Sequence, residues 1–178
     1  MDEMVRALIE HYSMTPLPVE GTYFVSTYRS AADTTTSVGD GPVGTAMIGL
    51  YAAEPASRSL FHRLEFDEVW HFYGGDPIRL VLLHPDGSSG EVTLGSDVLA
   101  GQAVQHVIPA GTWQAGELVP GGAWALFGCT MAPGFTGDCF EGGTVGALLQ
   151  SHPGRADDIR RLAVPDDHAT TMPDGFAT

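Results

Sequence analysis

The sequence predicts a mainly β domain, built as a sandwich or barrel, and three observations carry that expectation. Short β-branched and aromatic runs recur between residues 22 and 129. Clusters of Gly, Pro and Asp separate them. No helical pattern alternates with the runs, which argues against βαβ units and a parallel sheet.

The elements follow in order. Met4, Val5, Leu8 and Ile9 have helical spacing, and Asp2 and Glu3 sit in the first turn, where the helix dipole favours negative charge. Residues 2–11 are therefore expected as a helix, ended by Pro16 and Pro18. Residues 22–28 read as a strand, and the small, polar stretch 31–44 reads as a loop. Strands are expected over 45–53, 59–64, 68–73, 78–83, 90–94, 105–108, 112–118 and 123–129. Gly74-Gly75-Asp76-Pro77 and His84-Pro85-Asp86-Gly87 are turn signals within that series. Short helices are expected at 145–150 and 155–162. Past Pro165 the chain is rich in Asp, Thr and Pro, so residues 1–165 are read as one domain and 166–178 as a flexible tail.

Composition narrows the function classes. The chain has 178 residues, 43% of them hydrophobic, which suits one domain with a real core. It carries a net charge of −14 and no lysine; all eight basic residues are arginines. Such a surface repels phosphate backbones and anionic membranes, so neither nucleic acid nor membrane is expected as a partner. No apolar run reaches the roughly 18 residues of a membrane span. The acidic N-terminus is unlike a secretory signal, so a cytoplasmic location is expected, with Cys129 and Cys139 reduced. Two cysteines alone make no zinc site.

Familiar catalytic signatures are missing. The 74–77 turn lacks the Gly-Lys-Ser/Thr end of a phosphate loop, no G-x-S-x-G elbow occurs, and 142–146 lacks the setting of a dinucleotide fingerprint. The informative pair is His62 and Glu68. Strand alternation puts Leu60, His62 and Leu64 on one face, and Glu68, Trp70 and Phe72 on one face of the next strand, leaving His71 opposite. A His and a Glu amid Leu, Trp and Phe make a desolvated site suited to proton transfer. The plainer account is a buried His–Glu hydrogen bond that only joins two strands. Tyr23 and Trp70 are candidates for a stacking wall against a planar ligand, although core packing explains many of the barrel aromatics. Tyr28 and Arg29 are candidates for an anionic group, since arginine offers a forked donor. Arg63 and Arg79 are read as surface or interface residues.

Two stretches carry a resemblance. Residues 61–75 contain His62, Glu68 and Gly75; residues 107–115 contain Pro109, Gly111 and Gln114. Together they resemble the two cupin motifs, with Gln114 where the second motif has histidine. Residues 62–72, 109–114, 128–135 and 20–30 further resemble the DUF985 subfamily of cupins, over about residues 5–152. The chain departs from that pattern at Leu60, where a histidine is common, and at Leu17-Pro18-Val19-Glu20-Gly21-Thr22, Val25 and Ser26.

The resemblance implies a double-stranded β-helix, the cupin jelly-roll barrel, with a helix before it and short helices after. It implies an enzyme or binding module for a small molecule, a sugar derivative or specialised metabolite. Cupin metals usually take about three histidines and a carboxylate; with Leu60 and Gln114 in two of those places, His62 and Glu68 are a two-ligand remnant. No metal or other cofactor is therefore expected. The reading is a metal-independent isomerase, epimerase, cyclase or lyase. His62 is its acid or base, Glu68 the partner that orients it, and Tyr23, Tyr28, Arg29, Trp70 and Gln114 bind the substrate. Alternatives are a non-catalytic metabolite binder and a metal-dependent oxygenase. Exposed edge strands lead us to expect a homodimer.

Overall fold

Alternation of apolar residues along short strands builds two antiparallel sheets, packed face to face, in a computed structural model that describes residues 2–177. A helix leads in, α1 (Glu3–Tyr12), whose first turn is capped by Asp2 accepting from the Met4 amide at 2.7 Å. The strands are β1 (Thr15–Pro16), β2 (Tyr23–Arg29), β3 (Asp33–Thr36), β4 (Gly39–Pro42), β5 (Thr45–Ala52), β6 (Ser59–Leu64) and β7 (Glu68–Gly75). There follow β8 (Ile78–Leu83), β9 (Ser89–Leu94), β10 (Gln105–Ile108), β11 (Trp113–Leu118), β12 (Trp124–Met131) and β13 (Phe140–Gly142). Two short helices close the series, α2 (Val145–Ser151) and α3 (Ala156–Leu162). One sheet has the order β1-β2-β5-β12-β7-β10, the other β13-β6-β11-β8-β9. This is the mainly β jelly-roll barrel expected from the sequence, with its helices at the two ends of the chain.

Three apolar layers hold it together. Inside, Tyr51, Trp70, Leu80, Leu82, Ile108 and Phe127 fill one half of the barrel. Outside the five-stranded sheet, Phe61, Val81, Leu83 and Ala115 meet Leu148, Ile159 and Leu162 of the C-terminal helices. Outside the six-stranded sheet, Val5 of α1 packs on Leu50 and Ala52, with Tyr23 and Val25 beside them. Arg79 lies at the centre of an ion-pair network that ties α3 to the sheet, reaching Glu91, Asp158 and Glu117 at 2.7, 2.8 and 3.0 Å. These pairs are partly exposed, so solvent screens much of their worth.

Two stretches differ from the sequence expectation. Residues 31–44, read as a loop, contain the β3–β4 hairpin, where Thr35 donates to Asp40 at 2.7 Å. Its run of threonines suits a strand, and the small residues around it had masked that signal. Residues 166–177, read as a loose tail, have no helix or strand of their own but lie along the barrel. There the Gly142 and Gly137 amides donate to the carbonyls of Thr170 and Phe176, and Met172 is buried.

Candidate active site

The packed half of the barrel ends at an aromatic floor. Trp70 stacks on Phe127 with centroids 4.7 Å apart, and Tyr51 leans on Phe127 at 4.6 Å. Beyond that floor lies a cavity of about 240 Å³, walled by Phe24, Met47, Leu64, Met131, Phe135 and Phe140. It is smaller than the roughly 300 Å³ at which drug-sized ligand pockets begin, so it suits a small ligand. Its polar groups are few: Glu20, Ser26, Arg29, Thr45, His62, Glu68 and Cys129.

Alternation on β7 and β12 puts Glu68, Trp70, Cys129 and Met131 on the inner face, in register with one another. On β6 the register slips. Gln114 pairs with His62 and Gly116 with Ser59, so β6 has one residue more than β11 between those points. The slip brings Ser59 into the interior beside His62, in place of Leu60, which strict alternation would have put there. On β2 a second irregularity lies between Ser26 and Tyr28. It interrupts alternation at Thr27, so that Arg29 lines the cavity and Tyr28 does not.

Two hydrogen-bonded groups result. In the first, His62 Nδ1 lies 3.1 Å from Glu20 Oε2 and 2.8 Å from the Leu60 carbonyl. Thr22 donates to Glu20, Ser59 donates to it at 3.2 Å, and Tyr51 donates to Ser59 at 2.5 Å. Glu20 sits in a tight turn, Leu17 to Thr22, in which Val19 holds a left-handed φ of 67°. A β-branched residue adopts that conformation only where its surroundings enforce it. In the second group, Glu68 Oε2 accepts from Trp70 Nε1 and from Gln114 Nε2, each at 2.9 Å, and Trp70 Nε1 also reaches Gln114 Oε1 at 2.9 Å.

The electrostatics follow from burial. Desolvation pushes the Glu68 carboxyl up from its ordinary range; nearby His62 opposes that rise, and Glu20 adds to it. Burial first, and then the neighbouring carboxylates, hold the Tyr51 hydroxyl and Cys129 thiol well above their usual values, so both stay protonated. Cys129 is thus a poor nucleophile. Both acceptors facing His62 Nδ1 take a hydrogen and give none, which fixes the neutral ring as the Nδ1–H tautomer. His62 Nε2 has no hydrogen-bond partner among the described residues, and the ring lines the cavity.

Several expectations are thereby placed. His62, Glu68, Trp70 and Arg29 all line the cavity. Gln114 is buried behind Glu68 and serves it, rather than facing the cavity itself. Tyr23 and Tyr28 lie elsewhere: Tyr23 belongs to the layer under α1, and Tyr28 is exposed. The hydrogen-bond partner of His62 is the Leu60 carbonyl, and the carboxylate beside its Nδ1 is that of Glu20, not Glu68. Glu20, Thr22, Tyr51 and Ser59 were not singled out as site residues. The one available signal was Glu20 in the motif 20–30.

The donor set does not fit the metal centre that the resemblance brings to mind. Gln114 spends both ends of its amide on Glu68 and Trp70, and no group of three His, Cys, Asp or Glu among the described residues is placed to hold a metal ion.

The family model described as "Cupin superfamily (DUF985)" matches residues 6–142. The chain belongs to this cupin family. A hypothetical protein from Leishmania major is similar over 89% of this chain and 98% of its own, at 25% identity and a TM-score of 0.81. A Shewanella oneidensis protein is similar over 90% and 97%, at 28% identity and 0.79. No curated protein matches the chain. No described helix of this cupin is long and apolar enough to cross a membrane.

Proposed function

We propose that this cupin is a metal-independent enzyme of the isomerase type, moving a proton on a small, largely apolar metabolite. One observation carries the reading: the His62 ring, its Nδ1 held by the Leu60 carbonyl and Glu20, lines the same cavity as Glu68, whose hold on its proton burial strengthens. Titratable groups whose surroundings push them apart divide into acid and base roles.

In the step we infer, a substrate C–H bond breaks and its proton goes to His62 Nε2. Its electron pair moves into the substrate. Glu68, in its carboxylic acid form, gives a proton at a second position, so the substrate gains and loses one proton. His62 then returns its proton to Glu68, which resets both groups. Glu20 and the Leu60 carbonyl hold the ring and stabilise the imidazolium formed. Trp70 and Gln114 keep the Glu68 carboxyl in place. The apolar walls favour a specialised metabolite over a polyhydroxylated sugar, whose hydroxyls would be left without partners.

The test is proton exchange. A cell metabolite extract is incubated in D₂O with the protein and followed by mass spectrometry. Wild type should label at least one compound, and His62→Gln and Glu68→Gln should each cut that labelling by about 10²-fold or more at unchanged circular dichroism. Undiminished labelling in His62→Gln would overturn the assignment.

A non-catalytic binding role is the second reading. It is favoured by Glu68 Oε2 spending both its hydrogen bonds on the wall. On that reading no compound is labelled, although a ligand is retained by the protein.

A further inference from the structure

Arg29 stands out among the basic residues. Arg63, Arg79, Arg155, Arg160 and Arg161 are each paired with a carboxylate. Arg29 is the one Lys or Arg lining the cavity, and its hydrogen bond among the described residues is a long one, 3.4 Å, to the Ala177 carbonyl. It lines the cavity because of the irregularity at Thr27; unbroken alternation would have presented Tyr28 instead. In a chain of net charge −14, this solvent-exposed arginine lies at one side of an apolar cavity.

The opposite side is acidic. Arg29, Thr45, Met131 and Glu68 are successive register partners across β2, β5, β12 and β7. Three strand spacings of about 4.8 Å separate Arg29 from Glu68, roughly 14 Å along the sheet. The Glu20 carboxylate would repel an anion from the deep end, and Arg29 would attract one at its own. Between them the wall is mostly apolar, with Phe24, Met47, Phe135 and Phe140, and carries the hydroxyls of Ser26 and Thr45.

We propose that the ligand is an amphiphilic carboxylate, its anionic end held by Arg29 and its apolar body reaching the His62–Glu68 end. A carboxylate matches the fork of a single guanidinium, whereas a phosphate dianion calls for more donors than this wall provides. The inference deepens the proposed function and rests on it only for which end of the ligand reacts; the orientation itself rests on charge. The segment carrying Phe176 covers this side of the cavity, with its ring 6.2 Å from Phe24 and 6.3 Å from Phe135. The Ala177 carbonyl therefore occupies a guanidinium position that the carboxylate takes over.

The test uses matched pairs, octanoate with octanamide and 4-phenylbutyrate with its amide, titrated calorimetrically into the full chain. In wild type at least one acid should bind about tenfold or more tighter than its amide. In Arg29→Gln that ratio should fall to about one, with amide affinity and melting temperature unchanged. His62→Gln should keep the preference for the acid. This separates failure of the anion site from failure of the proton-transfer reading. Equal binding of acid and amide by wild type, no binding of either acid at millimolar concentration, or a preference that survives in Arg29→Gln would each overturn the proposal.

Discussion

His62 Nδ1 and Glu20 Oε2 lie 3.1 Å apart inside the barrel, with both side chains no more than 5% exposed. The contact joins the turn before β2 to the middle of β6. It gives the imidazole one defined tautomer and turns its other nitrogen to the cavity. Nitrogen-15 NMR should therefore show neutral His62 protonated at Nδ1; an Nε2–H signal would contradict the arrangement. Glu20→Ala removes the buried carboxylate to which Thr22 and Ser59 donate and which lies against His62 Nδ1, and should cost about 3 kcal/mol or more in urea unfolding. Glu20→Gln, which keeps an acceptor, should cost less.

Glu68 makes a prediction about pH. Its folded-state pKa is raised, chiefly by burial, so the folded protein holds this proton more tightly than the unfolded chain does. Its contribution to stability is complete below the ordinary value of 4.5 and is lost as pH rises through the folded value. Glu68→Gln removes the titration and keeps an oxygen for Trp70 and Gln114. The melting temperature of the variant relative to wild type should thus be higher at pH 8 than at pH 4. A difference that stays constant across that range would show that Glu68 does not titrate in this way.

The network around Arg79 has the opposite sign. Hydrogen bonds from Arg79, then Arg155, lower the Glu91 pKa to about 2. Its contribution is present above 4.5 and is lost as pH falls toward about 2. Glu91 is 42% exposed, so the effect is modest and salt-sensitive. Glu91→Gln should flatten the acid limb of the stability curve between those pH values and leave neutral stability changed by about 1 kcal/mol or less.

The aromatic floor depends on Gly49. A Cβ there would sit 2.4 Å from the Phe127 ring, which stacks on Trp70. Gly49→Ala should destabilise by about 1–3 kcal/mol, because the ring is held on both sides and moves only with Trp70. It should also weaken ligand binding, since Trp70 carries the hydrogen bonds to Glu68 and Gln114. Unchanged urea unfolding would mean the floor yields more easily than its packing implies.

Alternation and turn chemistry are local properties, and the sequence alone determined what depends on them: the strand series from β5 to β12, the two short helices, and the inner faces of β6 and β7 at His62, Glu68 and Trp70. The motif resemblance settled the barrel and the family. What stayed hidden depends on departures from alternation and on contacts distant in sequence. One irregularity in β2 exchanged Tyr28 for Arg29, and another in β6 exchanged Leu60 for Ser59. A one-residue slip in register turns a side chain to the opposite face and leaves no mark in composition. Glu20 joined His62 only because a strained turn at Val19 and the pairing of β2 with β5 carried it into the barrel. Thus the sequence by itself determined the strand faces that carry His62, Leu64, Glu68 and Trp70, and offered Arg29 as a binding candidate. Tertiary structure decided which carboxylate holds the histidine, because that choice depends on the packing of segments that share no local pattern.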